Sequence, residues 1–324
     1  MDSVVDALAA KIEGRESILV MPEGAEERVL AAARILLDRN LAQIVLLGNH
    51  SDIAAAAGEA GIDLAGLKLI NPADSQHLDV FARQYLDVRP NTKTNIARRL
   101  VAKPLFFGGS MLRAGLAHAM LAGVANSTAR VIEACLMTIG MAEGIETPSS
   151  CFLMLLPQNG VGDRALIYAD CAVTVAPDRE QLADIALASA ETGRYLLGDQ
   201  PRVAFLSFSS KGSGNHPLAR KMAEAAALAA TRAPDIAIDG ELQADAALDD
   251  RVAQIKLNPT GNVAGSANVL VFPDLNAGNI AYKLTQYLAG ARALGPLLQG
   301  IAWPVADLSR GASVEDSVDT AIVS

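Results

Sequence analysis

Short apolar runs alternate with longer stretches whose apolar residues recur at helical spacing, and this rhythm repeats along most of the chain. Ser17–Met21 is the first run. Pro22-Glu23-Gly24 closes it, and a helical pattern continues through Arg39 with Val29, Ala33, Leu36 and Leu37 on one face. Gln43–Leu47 predicts a second strand, ended by Gly48, and a helix spans about Ser51 to Ala60. Leu67–Ile70 predicts a third strand, followed by helices near Ser75–Leu86 and Thr92–Ala102. Continuous apolar strands separated by helices predict a parallel sheet covered on both faces.

The middle of the chain has a different texture. Cys151–Leu156, Ala165–Ala169 and Ala172–Val175 predict closely spaced strands, with Gln158-Asn159-Gly160 and Asp170 as turn residues. A long helix over Arg179–Leu197 follows. Strands are then predicted at Arg202–Ser207, Asp235–Ile238 and Val269–Phe272, and helices at Pro217–Thr231, Leu275–Leu288 and from near Ser313. The texture change sets a domain boundary at Thr147-Pro148-Ser149. The stretch after Gly300 is too short to be a domain and must pack on an existing one. The expected division is residues 1–147 plus 300–324 for the first domain and 148–299 for the second, with a cleft between them.

Composition agrees with that picture. A chain of 324 residues is past the size at which one core stops growing. At 51% hydrophobic it has enough apolar material to exclude global disorder, and with aromatics at 4% its cores must be built from Ala, Leu, Val and Ile. Lys plus Arg is 27 against 36 for Asp plus Glu, a net charge of −9 without a basic run, which argues against a nucleic-acid partner. An anionic substrate must therefore be held by a local cationic pocket.

Cys135, Cys151 and Cys171 lack metal-ligand spacing and read as reduced thiols of a cytoplasmic protein. Met1–Gly14 carries Asp2, Asp6 and Glu13 and is not a signal peptide. Cys151–Leu156 is too short to span a bilayer, and Leu257–Pro273, interrupted by Asn, Gly and Pro, reads as loop plus strand. No membrane association is expected. The histidines lack ligand spacing, and His118, among Leu116, Ala119 and Met120, is expected in the core.

Three segments carry chemistry. In Ser207–Asn215, between a strand and a helix, the small residues Ser209, Gly212 and Ser213 beside Lys211 let backbone N–H groups converge on an anion. The Walker spacing is absent, and an ordinary strand–helix turn capped by Ser and Asn weighs equally. Phe272–Asn279 places Asp274, Asn276 and Asn279 at the carboxyl end of a strand, where open α/β sheets bind ligands. Helix capping by Asp274 or Asn276 is the plainer reading there. Ser309-Arg310-Gly311 offers a hydroxyl, a guanidinium fork suited to phosphate and a tight turn, with Asp316 a candidate base. Ser313…Asp316 also has capping-box spacing, and from these residues alone the cap is the favoured reading. Arg28 and Arg89 read by default as solvated charges.

Taken together, Arg202–Ser213, Asp239–Gln243, Phe272–Asn279 and Asp307–Gly311 make the chain similar to the phosphate acetyl/butyryl transferase family over nearly its whole length. The resemblance implies a two-domain α/β fold of the isocitrate/isopropylmalate dehydrogenase type, with parallel and mixed sheets and the active site in the interdomain cleft of a homodimer. It implies reversible transfer of an acetyl group between the CoA thiol and inorganic phosphate, directly in a ternary complex. It implies no permanently bound cofactor and no metal, with CoA and acetyl-CoA as substrates. Ser309, Arg310 and Asp316 align with the family's catalytic residues, and Arg28 and Arg89 with substrate-contacting arginines. Ser209, Lys211, Gly212, Ser213, Asp274, Asn276 and Asn279 fall in the implied CoA and substrate site.

The chain departs from the pattern at Glu133, where most members have arginine after Val-Leu, at Tyr287, where the family has Gln-Arg, and at Ala312, a common cysteine. The first reverses the sign of a contact near a CoA phosphate. A free thiol titrates near 8.5 and an ordinary carboxylate near 4, so full proton transfer between them costs on the order of 6 kcal/mol. The chemistry therefore calls for partial proton removal as the C–S bond forms, with Ser309 donating to the carbonyl oxygen and Arg310 holding phosphoryl oxygens. Two other readings fit the same sequence: a non-catalytic acetyl-CoA-sensing or assembly homologue, and a phosphate propionyl- or butyryltransferase. A dehydrogenase of the same fold lacks its fingerprint here.

Overall fold

The computed structural model describes residues 4–158, 162–257 and 261–324. The chain divides into two compact units, one of residues 4–142 and 301–324, the other of residues 143–300.

The first unit opens with α1 (Val4–Ile12) and alternates β1 (Ile18–Met21), α2 (Glu27–Asp38), β2 (Gln43–Leu47), α3 (His50–Ala60) and β3 (Lys68–Ile70). Helices α4 (Leu78–Val88), α5 (Thr94–Val101) and α6 (Pro104–Arg113) precede β4 (Ala119–Ala122) and α7 (Thr128–Thr138). Local chemistry sets the ends. Asn49 caps α3 by accepting from Ser51 N at 2.9 Å, and Gly61 closes that helix at φ 68°, which glycine adopts without strain. On α2 the buried face is Val29, Leu30, Ala32, Ala33 and Leu36, wider than one stripe because α13, defined below, packs on it as well.

The second unit holds β5 (Ser149–Gln158), β6 (Gly162–Ala169), α8 (Arg179–Leu196), β7 (Arg202–Leu206), α9 (Pro217–Arg232) and β8 (Ala237–Leu242). The short helices α10 (Ala244–Leu248) and α11 (Asp250–Lys256) follow, then β9 (Val269–Val271), α12 (Leu275–Ala289) and β10 (Arg292–Gln299). Its strands run β10-β5-β6-β9-β7-β8. The β10/β5 and β5/β6 pairs are antiparallel; β6/β9, β9/β7 and β7/β8 are parallel. The core combines Phe152, Met154, Leu166 and Leu270 with many alanines, and Phe152 stacks on Tyr282 at 4.3 Å. Truncating a buried aromatic of this kind costs about 3–5 kcal/mol.

The chain returns to the first unit as β11 (Val305–Asp307) and α13 (Val314–Ile322), giving the all-parallel order β3-β2-β1-β4-β11. The core here is Val20, Met21, Leu46 and Met120 under Phe81 and Phe107, whose rings meet edge to face at 4.9 Å.

Two expectations need correction. Ala172–Val175 is not a strand. The Asp170 carboxylate accepts from Ala172 N at 3.0 Å, Val173 N at 3.2 Å and Thr174 N at 2.7 Å, which coils the backbone instead. His118 is exposed rather than in the core, although its Nδ1 accepts from Ile18 N at 2.9 Å. Asn159 and Gly160 of the expected turn lie outside the described residues, as do residues 258–260 of the stretch Leu257–Pro273. Among the described residues no helix is long and apolar enough to cross a membrane.

Candidate active site

In the first unit β1 leads to β2 on one side and the chain reaches β4 on the other, so the strand order reverses between β1 and β4. A crevice forms at the carboxyl ends of strands at such a point. A cavity of about 710 Å³ lies there, lined among others by Glu23, Glu26, Asp52, Lys103, Arg130 and Glu133. Glu133, the sign-reversed position, thus faces the same space as two cations, and Arg130 stands three residues before it on α7.

Glu23 is buried and accounts for the crevice's shape. Its carboxylate accepts from Val124 N at 2.8 Å, Ala125 N at 3.0 Å, Asn126 N at 2.8 Å and Asn126 Nδ2 at 2.7 Å. The turn after β4 is therefore folded around a carboxylate from the turn after β1.

Ser309, Arg310 and Gly311 are exposed in the turn between β11 and α13. Ser309 O accepts from Ala312 N at 2.9 Å, and Gly311 N donates to Ser309 Oγ at 3.3 Å. Arg28, at the start of α2, fixes this turn from outside. Its Nη1 donates to Arg310 O at 2.8 Å and Ala312 O at 2.9 Å, while Nε pairs with Glu26 at 2.8 Å. Arg28 thus holds the backbone of the serine–arginine turn. The Arg310 guanidinium makes no hydrogen bond among the described residues.

Asp316 caps its helix, as its spacing allowed. Its Oδ2 accepts from Ser313 N at 2.9 Å and Ser313 Oγ at 2.8 Å, and Ser313 Oγ accepts from Asp316 N at 3.0 Å, a complete capping box. The residue is exposed, and Oδ1 takes no hydrogen bond among the described residues. One oxygen caps and the other is open. Arg89 sits at the end of α4, exposed, without a side-chain partner among the described residues.

In the second unit the two remaining motifs follow β7 and β9, which are paired neighbours, at their carboxyl ends. The Ser207–Asn215 loop turns through the left-handed Lys211 (φ 48°) and Gly212 (φ 83°), and its backbone N–H groups go to separate acceptors, the Gly212 N–H alone among them to a carboxylate. The anion it meets is internal. Buried Glu241 accepts from Gly212 N and from the fully buried Ser209 hydroxyl, both at 2.7 Å. Ser213 Oγ accepts from Ser210 N at 3.0 Å, and Lys211 pairs with Asp239. Asp274 caps α12 through Ala277 N at 2.9 Å. Asn279 Nδ2 donates to Cys171 O at 3.0 Å, and Asn276 is exposed.

Sequence reasoning missed Glu23, Glu241 and Asp307, the carboxylates that shape these turns. The available signal was an acidic residue placed at or beside a strand end. All three cysteines are buried thiols. Burial, with a smaller contribution from Asp307, pushes Cys135 up to about 12. Among the described residues no group of His, Cys, Asp or Glu side chains is placed to hold a metal ion.

The reversal of strand order, the strand-end cavity and the mixed second sheet define a doubly wound α/β protein of dehydrogenase-like architecture. The chain belongs to the phosphate acetyl/butaryl transferase family, whose model matches residues 3–324. It is 43% identical over 320 residues to the phosphate acetyltransferase of Thermoanaerobacterium thermosaccharolyticum, covering 98% of this chain and 97% of that one. A phosphotransacetylase structure from Streptococcus pyogenes superposes with a TM-score of 0.92 at 38% identity, covering 99% and 96% of the two chains. A putative 4-hydroxythreonine-4-phosphate dehydrogenase from Salmonella typhimurium gives a TM-score of 0.54 at 12% identity over 95% and 99%, a likeness of fold alone.

Proposed function

We propose that the protein is a phosphate acetyltransferase, moving an acetyl group reversibly between the CoA thiol and inorganic phosphate. The observation that carries the reading is the turn after β11. It presents a hydroxyl, an unpartnered guanidinium and a carboxylate with one open oxygen, on a backbone held by Arg28, in a chain matched by the family model almost throughout. Ser309 donates to the acyl carbonyl oxygen as charge builds on it. Arg310 holds the phosphoryl oxygens. Asp316 takes up part of the thiol proton at Oδ1 while Oδ2 stays on the cap. Arg89, and in the second unit Lys211, Gly212, Ser213 and Asn276, are the remaining substrate contacts; Ser209, Asp274 and Asn279 order the loops that carry them. CoA is a substrate and not a resident cofactor.

The test is thioester formation from acetyl phosphate and CoA, followed by absorbance. Turnover abolished by Ser309→Ala supports the reading, and no turnover at millimolar substrate overturns it in favour of a non-catalytic homologue. Comparing kcat/KM for acetyl, propionyl and butyryl phosphates fixes the acyl chain.

The same reading includes a homodimer in the cytoplasm. Ile280, Leu284, Tyr287 and Leu288 lie on one face of α12, 53–81% exposed, an apolar stripe of the kind a second copy covers. Buried free thiols fit a reducing compartment. Light scattering after gel filtration checks the dimer, with Leu284→Asp expected to yield monomer.

A further inference from the structure

Asp307 ends β11, two residues before Ser309. It is 1% exposed, and neither carboxylate oxygen has a hydrogen-bond partner among the described residues. A buried carboxylate in that state is costly as an anion. Its neighbours add to the cost. Gly123, at φ 103° just after β4, lies so close that an added Cβ would strike Asp307 Oδ1 and the Leu308 backbone. Leu308 N donates to Ala122 O at 2.6 Å, which locks the start of the serine–arginine turn to the end of β4.

The groups facing Asp307 are the Glu23 carboxylate from the turn after β1 and, from α7, the Cys135 thiol and the Thr128 hydroxyl. None is a cation. Burial first, and the Glu23 charge as a smaller cause, push Asp307 up to about 7, against a weaker opposite pull from Thr128. Glu23 is fixed by donors from residues 124–126, the segment that follows Gly123. An anion at Asp307 therefore meets a second, immobilised anion. The backbone directly against Asp307 is Gly123 and Leu308, so repulsion there is met by the start of the serine–arginine turn.

Resting on the acetyltransferase reading above, we infer that Asp307 is a positioning residue: as the neutral acid it seats the Ser309–Arg310 turn, and its ionisation unseats that turn. The enzyme thereby carries an alkaline brake independent of the substrate thiol. Asp307 touches no reacting atom; it acts through the backbone of Leu308.

Two measurements test this. In the wild-type protein, hydrogen exchange of peptides covering residues 305–317 is followed from about pH 6 to about pH 8 and corrected for the intrinsic rate. The neutral fraction of an acid titrating near 7 falls about tenfold over that range, so the protection factor of the turn is expected to fall about tenfold. In Asp307→Asn the protection is expected to stay level, and the ratio of variant to wild-type kcat to rise about tenfold over the same range, with KM for either substrate little changed. Constant wild-type protection, or a flat kcat ratio, overturns the inference while leaving the acetyltransferase reading intact. A wild-type protein without turnover overturns that reading, and the exchange result still decides whether Asp307 seats the turn. An Asn variant that fails to fold leaves the decision to the wild-type exchange profile.

Discussion

Replacing Arg28 by alanine separates two roles for this arginine, as a contact to substrate or as the clamp on the serine–arginine turn. Its Nη1 donates to Arg310 O at 2.8 Å and to Ala312 O at 2.9 Å. A hydrogen bond from a charged donor contributes about 1.5–3 kcal/mol when desolvated. The side chain is 31% exposed, so the two bonds together are discounted to about 2–3 kcal/mol. The accompanying Glu26 pair contributes under about 1 kcal/mol. Because the turn is a surface segment, its release is local opening and not global unfolding, so the melting temperature should fall only slightly. If, as proposed, Ser309 and Arg310 carry the chemistry, kcat should fall about 30- to 150-fold, since about 1.36 kcal/mol is tenfold in rate. Steady-state kinetics with acetyl phosphate and CoA give kcat and both KM values, and calorimetry gives the stability. An unchanged kcat with a raised KM for the phosphate substrate would refute the clamp and make Arg28 a substrate contact.

Three further outcomes follow from the same geometry. Asp316→Asn, which can still accept from Ser313, should cut kcat at least a hundredfold with little change in melting temperature, whereas Ser313→Ala should cost about 1 kcal/mol of stability and spare most activity; the reverse pattern would make Asp316 a cap only. Glu241→Gln weakens the charge-assisted bonds to Gly212 N and Ser209 Oγ and should raise KM for CoA several-fold with kcat nearly intact, checked by the same assay. For Asp307, whose folded value of about 7 lies above the unfolded carboxylate near 4, the folded state holds a proton the unfolded chain has released. Stability contributed by that proton is full below about pH 4 and lost as pH rises to about 7. Between about pH 5 and about pH 8 the wild type should lose about 2.5 kcal/mol relative to Asp307→Asn in denaturant titrations.

Part of the first unit was legible, because β1 and β2 are buried and the helices beside them amphipathic, so hydrophobic period alone marks them; α1, α6, β4, α7 and β11 were not predicted. Ile18–Met21 and Gln43–Leu47 fall where the pattern puts them. β10 was not legible. Gly295-Pro296 reads as a turn signal, yet the strand pairs with β5 through a register shift between Leu294 and Leu297, and tertiary pairing overrides the local cue. Ala172–Val175 failed for the opposite reason: the residues suit a strand, but a neighbouring carboxylate takes their N–H groups first.

That failure and the missed site residues have one physical cause. At several strand ends the donors of a turn meet a carboxylate of the same chain: three backbone N–H groups of residues 124–126 on Glu23, three of residues 172–174 on Asp170, and the Gly212 N–H with the Ser209 hydroxyl on Glu241. A turn rich in glycine and serine shows that donors will gather, and sequence reveals that much. It does not reveal whether the anion they gather around is a ligand or an internal side chain, because the carboxylate arrives from a different turn or strand, tens of residues away in two of the three cases. Asp307 is the exception that isolates the rule. It occupies a comparable strand end with no backbone N–H of the described residues turned to it and only the Thr128 hydroxyl facing it, so burial works against its charge more than any donor supports it. It is also the one built into the strand that ends in the serine–arginine turn. Arg34 Nε, Gln84 Oε1 and Ser149 Oγ are also buried without a partner, so open capacity alone does not single out a site; what sets the turn after β11 apart is that Asp307, Arg310 and Asp316 Oδ1 leave capacity open within ten residues of one another, which is why the proposed chemistry is placed there.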